Sequence, residues 1–129
     1  MGGRSITYTG DTGPSEAVTR LARGSDLLVS EVIDLDRLLA EIRARRTDAS
    51  PQMLDQMRRH LGSHHLGADE IGRMAKMAGV GRVVLTHFAI PPGPLSASEP
   101  RLRSGIAAAY AGPVELGQDL ARFAVGCKP

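Results

Sequence analysis

The alternation of Ile6-Thr7-Tyr8-Thr9 predicts a strand, because residues two apart share one face of a pleated chain. It runs into Gly10-Asp11-Thr12-Gly13-Pro14, a dense turn signal. Ser15 is placed to cap a helix whose apolar residues Val18, Leu21 and Ala22 share a face, with Gly24 as its stop. Leu27-Leu28-Val29 reads as a short buried strand ending near Ser30-Glu31. Asp34 opens a second helix, with Leu35, Leu38, Leu39 and Ile42 at helical spacing. Ser50 caps a third, Pro51 sits in its first turn, and Leu54, Met57 and Leu61 carry it to Gly62. Ile71, Met74, Ala75 and Ala78 mark another helix, closed by Gly79. Arg82 to His87 has the continuous apolar centre of a strand buried on both faces. A last helix is expected around Arg101 to Tyr110, and a last strand near Val114-Glu115-Leu116. Strands alternate with helices, so the class is α/β, in a single unit over residues 1–129.

Composition narrows the classes. The 129 residues are 42% hydrophobic, enough for one core, and exclude collagen-like or extended disordered chains. The longest apolar runs fall far short of the roughly 20 residues of a membrane span. No basic start leads into an apolar segment, so no signal peptide is expected. The one cysteine, Cys127, cannot form an intrachain disulfide, and a reducing cytoplasm is the default compartment. The isoelectric point of 9.1 reflects a net charge of only +2. The densest basic stretch, Arg43-Ala44-Arg45-Arg46 with Arg58-Arg59 beyond it, reads as a solvated helix face. With no Trp, two Tyr and two Phe, the chain lacks the stacking surface of a single-strand nucleic-acid platform.

Chemistry is expected at the carboxyl ends of the strands, where open α/β sheets gather catalytic groups. Asp11 follows the first strand and His87 ends the strand after Arg82. A carboxylate and an imidazole suit zinc, although two side chains do not complete a zinc site. A second group comprises His60, His64 and His65 with Asp69 and Glu70. His60 and His64 are four apart, as are His65 and Asp69, a spacing that faces two ligands together on a helix. Gly62 and Ser63 are expected to break the helix between the first pair, leaving His60 and His64 as surface histidines.

Taken in order, these segments resemble the metallo-β-lactamase-fold hydrolases, in their ribonuclease Z and arylsulfatase-like branch. Thr9-Gly10-Asp11-Thr12-Gly13-Pro14 is similar to the strand-end motif whose Asp bridges two metal ions. Leu85-Thr86-His87-Phe88 is similar to the late strand whose His binds the second metal. His65 lies 22 residues before His87, the spacing of that branch, and Ala68 to Ala75 matches its helix pattern. Tyr110-Ala111-Gly112-Pro113-Val114, followed by Asp119-Leu120, resembles the family's C-terminal end. The family's H-x-H-x-D-H motif has no counterpart among the four histidines.

The resemblance implies the C-terminal half of an αββα sandwich, one mixed sheet flanked by helices, with the N-terminal half absent. It implies that Asp11 and His87 are metal ligands and that the complete site holds two zinc ions, or other divalent metals, about 3.5–4 Å apart. His65 would meet the substrate oxygen as proton donor or oxyanion stabiliser, and Glu31 would orient it. The activity implied is hydrolysis of a phosphodiester, sulfate ester or similar ester, with this chain inactive by itself. An N-terminal half or a second copy is the expected partner, besides a small-molecule or phosphodiester substrate; a nucleic-acid partner has little support in the residues, and no membrane is involved. The alternatives are a non-catalytic half-fold that pairs with another chain, and a phosphoacceptor receiver using Asp11. The receiver fits poorly, because neither Lys76 nor Lys128 follows a strand in the required place. A half-sandwich would leave an apolar sheet face open, expected to include Ile6, Tyr8, Val83 and Leu85 or their neighbours.

Overall fold

A computed structural model describes residues 3–125; Cys127 and Lys128 lie outside the described residues. The elements in chain order are β1 (Ile6–Tyr8), α1 (Glu16–Leu21), β2 (Leu27–Ile33), α2 (Leu35–Arg45), α3 (Pro51–His64), α4 (Ala68–Ala78), β3 (Val83–Ala89), a 3-10 turn (Leu95–Ala97), α5 (Glu99–Ala107) and β4 (Val114–Leu116). Their starts follow the predicted chemistry. The Ser15 hydroxyl accepts from the Val18 amide, and Ser50 accepts from Met53, with Pro51 opening α3. Gly79 ends α4 in the left-handed conformation, φ 65°.

The four strands lie in the order β1-β2-β3-β4, and every pairing among them is parallel. The expected mixed sheet is corrected on this point, because each connection crosses over through at least one helix and returns the chain in the same direction. Parallel crossovers are right-handed almost without exception, so a strand order that never reverses puts the helices that cover the sheet on one face. The core agrees. Leu28, Val83 and Leu85 of the sheet pack with Ala22 beside α1, with Ile71, Met74, Ala75 and Ala78 of α4, and with Leu102 and Ile106 of α5.

The register decides which residues face away from those helices. Thr7 pairs with Leu28 and Leu28 with Val83, whereas Tyr8 pairs with Val29 and Val29 with Val84. Val83 and Leu85 are therefore on the helix side, 0% exposed, and do not share a face with Ile6 and Tyr8 as expected. Side chains alternate across a strand, and a one-residue offset reverses the assignment. Ile6 and Tyr8 are open, at 59% and 63% exposure, while Val84 and Leu27 on the same face are buried.

Helix α3 also outruns its expected end at Gly62. The Ser63 hydroxyl bonds back to the His60 carbonyl at 2.9 Å, which satisfies it within a helical turn. The helix thus continues through His64.

Candidate metal centre

Three neighbouring strands deliver one polar group each to the same end of the sheet. Asp11 lies in the turn after β1, where Gly10 takes φ 60°, a conformation that disfavours any side chain. Gly13 of the same turn is pressed on the end of α3: a Cβ there would sit 1.9 Å from the Ser63 carbonyl oxygen. The turn is thereby fixed against α3, and Asp11 with it.

His87 reaches the site through an irregularity. Glu31 pairs with Thr86 but Val32 pairs with Phe88, so the ladder skips His87. His87 takes φ 43°, which is rare for a residue with a side chain. A bulge of this kind re-aims a side chain and is common beside active sites. Here it sets His87 Nδ1 3.0 Å from Asp11 Oδ1 and 3.9 Å from Glu31 Oε2.

Glu31, on β2, is 1% exposed. Its Oε1 accepts from the Thr12 amide at 3.3 Å and from the Leu66 amide at 3.2 Å. Its Oε2 accepts from His65 Nδ1 at 2.7 Å. One buried carboxylate therefore ties the Asp11 turn, the α3–α4 junction and the His65 ring together. A buried carboxylate survives only with such partners. Because a carboxylate accepts, His65 Nδ1 donates in this bond, and Nε2 is the ring nitrogen left for other partners. The His65 and His87 rings are stacked with centroids 6.5 Å apart. His65 itself caps the end of α3 in an extended conformation, two residues before the Gly67 cap of α4.

Asp11, Glu31 and His87 form the one group of three candidate ligand side chains among the described residues, with donor atoms within 4.8 Å of one another. Two donors each about 2.0–2.2 Å from one zinc ion lie roughly 3–3.5 Å apart, so the 3.0 Å separation of Asp11 and His87 fits a shared ion. The nitrogen and carboxylate set suits zinc. Asp11 and His87 are 65% and 54% exposed, so a bulky substrate has access to them.

Asp11, His87, His65 and Glu31, the four residues that the family resemblance implies for one centre, lie together in the structure. Glu31 stands closer to the ligand cluster than its orienting role required. The Thr12 and Leu66 amides that hold it were not anticipated, since a backbone donor leaves no mark in a sequence. Asp69 and Glu70 do not join the cluster: Asp69 pairs with Arg73 and Glu70 accepts from the Gly67 amide. The basic stretch is largely neutralised, Arg45 by Glu41, Arg46 by Asp48, Arg58 by Asp36 and Arg59 by Asp55. The Arg46 guanidinium holds the Asp48 carboxyl below its ordinary range. No helix among the described residues is long and apolar enough to cross a membrane.

No family model matches the chain. It is 34% identical over 125 residues to the ribonuclease Z of Mycobacterium tuberculosis strain H37Rv, which covers 95% of this chain and 40% of that protein. It is 35% identical over 123 residues to the ribonuclease Z of Thermobifida fusca, covering 95% of this chain and 32% of that protein. The chain thus spans less than half the length of these relatives. Among solved structures, the metallo-β-lactamase fold protein YhfI of Bacillus subtilis superposes with a TM-score of 0.60 at 22% identity, over 89% of this chain and 37% of that one.

Proposed function

Starting from a chain that is homologous to ribonuclease Z proteins and shares the metallo-β-lactamase fold, we propose that it carries part of the metal centre of a metal-dependent phosphodiesterase. The convergence of Asp11, Glu31 and His87, with His65 held beside them, carries this reading. Asp11 and His87 hold divalent metal, zinc by the chemistry of the donors. When bound, the metal supplies an activated water and a Lewis acid for the phosphoryl oxygen. His65, its Nδ1 proton committed to Glu31, presents Nε2 to the substrate oxygen for proton transfer. Glu31 acts through His65 and is a positioning residue. RNA is the substrate class favoured by the relatives' name, ahead of sulfate esters or lactone-like esters.

A second reading, a non-catalytic half-fold that pairs with another chain, is favoured by the ligand count. Asp11 and His87 are two side chains, short of the three or four protein ligands that zinc takes. In this reading a pairing chain would cover the sheet face on which Ile6 and Tyr8 lie exposed.

Equilibrium dialysis against Zn²⁺ tests the centre. Fewer than two tightly held ions per chain are expected, with less binding after Asp11→Ala or His87→Ala. The chain alone is expected to leave bis(p-nitrophenyl) phosphate intact, and an added N-terminal half with the histidine motif to start hydrolysis that Asp11→Ala abolishes. Two tightly held ions per monomer, or full activity without a partner, would overturn the reading. An assembled pair that stays inactive would decide for the non-catalytic module.

A further inference from the structure

The unbroken last turn of α3 brings together two histidines that the centre above does not use. His60 and His64 stand one turn apart, both exposed, with ring centroids 4.5 Å apart and planes inclined by 38°. His64 Nδ1 lies 2.7 Å from the His60 carbonyl oxygen. A carbonyl only accepts, so Nδ1 donates in this contact, with the Ser63 hydroxyl 3.0 Å from the same nitrogen, and Nε2 is the nitrogen left for a cation. Metal-bound histidines have this arrangement, with the second nitrogen donating to a carbonyl that fixes the tautomer. His64 is also the last residue of α3, at the negative end of the helix dipole. The neighbouring guanidiniums are engaged, Arg59 by Asp55 and Arg58 by Asp36, which reduces their repulsion of a cation.

We propose that His60 and His64 form a two-ligand surface site for a borderline divalent cation, the class of Zn²⁺, Ni²⁺ and Cu²⁺. Imidazole nitrogen selects these ions over Mg²⁺ and Ca²⁺, which take oxygen ligands. Two protein ligands leave the other positions to water, so the site binds more weakly than a closed four-ligand one. It is separate from the Asp11 group and does not depend on the hydrolase reading, although His64 is joined directly to His65.

The untagged chain on immobilised Ni²⁺ resin, and a Zn²⁺ titration against a chromophoric chelator, test the site. Both are run in the wild type and in an Asp11→Ala/His87→Ala background, which silences the other centre. Retention and one weakly bound Zn²⁺ are expected in both, with no competition from Mg²⁺. His60→Ala or His64→Ala is expected to abolish retention and weaken this Zn²⁺ at least about tenfold. Gln56→His combined with His60→Ala keeps the histidine number but separates the pair by about 12 Å along the helix, and is expected to behave like His60→Ala. All three positions are exposed, so an unchanged circular-dichroism spectrum separates ligation from folding. Retention that survives His60→Ala, or that Gln56→His restores, would overturn the proposal, since either result shows that histidine number and not the pair binds the metal.

Discussion

The two sides of the Asp11–Glu31–His87 group are built on opposite principles. On the inner side, Glu31 is 1% exposed on a central strand and satisfies three donors from two other segments. On the outer side, Asp11 stands in a turn and His87 on a bulge at φ 43°, both more than half exposed. The inner side is fixed several times over, so removing one bond leaves others. The outer side holds its donors ready for a ligand and depends on the inner side for its position. Stability and chemistry are thus divided between neighbouring residues only a few ångströms apart.

Breaking the inner side has the largest expected effect. Glu31→Ala leaves the Thr12 amide, the Leu66 amide and His65 Nδ1 without their acceptor, at about 1–3 kcal/mol for each donor that water does not reach. A loss of about 3–5 kcal/mol in urea unfolding is expected. Glu31→Gln sharpens the result: its carbonyl oxygen can still accept from the two amides, but its NH2 group confronts the proton on His65. A smaller loss is expected, with the His65 proton moved from Nδ1 to Nε2, read from ring-nitrogen chemical shifts. If Glu31→Ala cost less than about 1 kcal/mol, the inner side would not be the support described here.

Gly13→Ala tests the mechanical link between the sides. The added methyl meets the backbone of Ser63, which cannot swing aside as a side chain can. A cost of about 1–3 kcal/mol is expected. The Asp11 turn must shift to relieve the contact, so Zn²⁺ affinity should fall along with stability. Loss of stability with unchanged Zn²⁺ affinity would show that the turn moves independently of Asp11.

What could be read from the sequence, and what could not, follows the same division. The strands and helices were legible because apolar spacing and caps are local: Ser15, Ser50, Pro51 and Gly79 each mark a boundary that the chain obeys. Asp11 and His87 were legible as strand-end groups, and the family resemblance supplied their pairing with His65 and Glu31. The face assignment of Ile6 and Tyr8 was not legible, because it depends on the register between strands far apart in sequence. Nor was the bulge at His87, since nothing in Leu85-Thr86-His87-Phe88 distinguishes a skipped residue from a paired one. The continuation of α3 past Gly62 has a local reason: Gly62 and Ser63 read as helix breakers, whereas the Ser63 hydroxyl finds a carbonyl inside the helix.

The smallest expected effect has the opposite sign and belongs to the outer side. A side chain at φ 43° costs roughly 1–3 kcal/mol, and glycine accepts that conformation without the cost. Glycine also makes the unfolded chain freer, which offsets part of the gain. The lost contact with Asp11 lies in solvent and is worth about 1 kcal/mol at most. His87→Gly is therefore expected to raise stability by about 0.5–1 kcal/mol while reducing Zn²⁺ binding. His87→Ala removes the same imidazole but keeps a Cβ in the unfavourable conformation, so it should bind Zn²⁺ as poorly and show no gain. The difference between the two variants in urea unfolding isolates the backbone contribution from the loss of the ligand. Equal stabilities would mean that the bulge holds no strain at His87, and that the outer side is open without being costly.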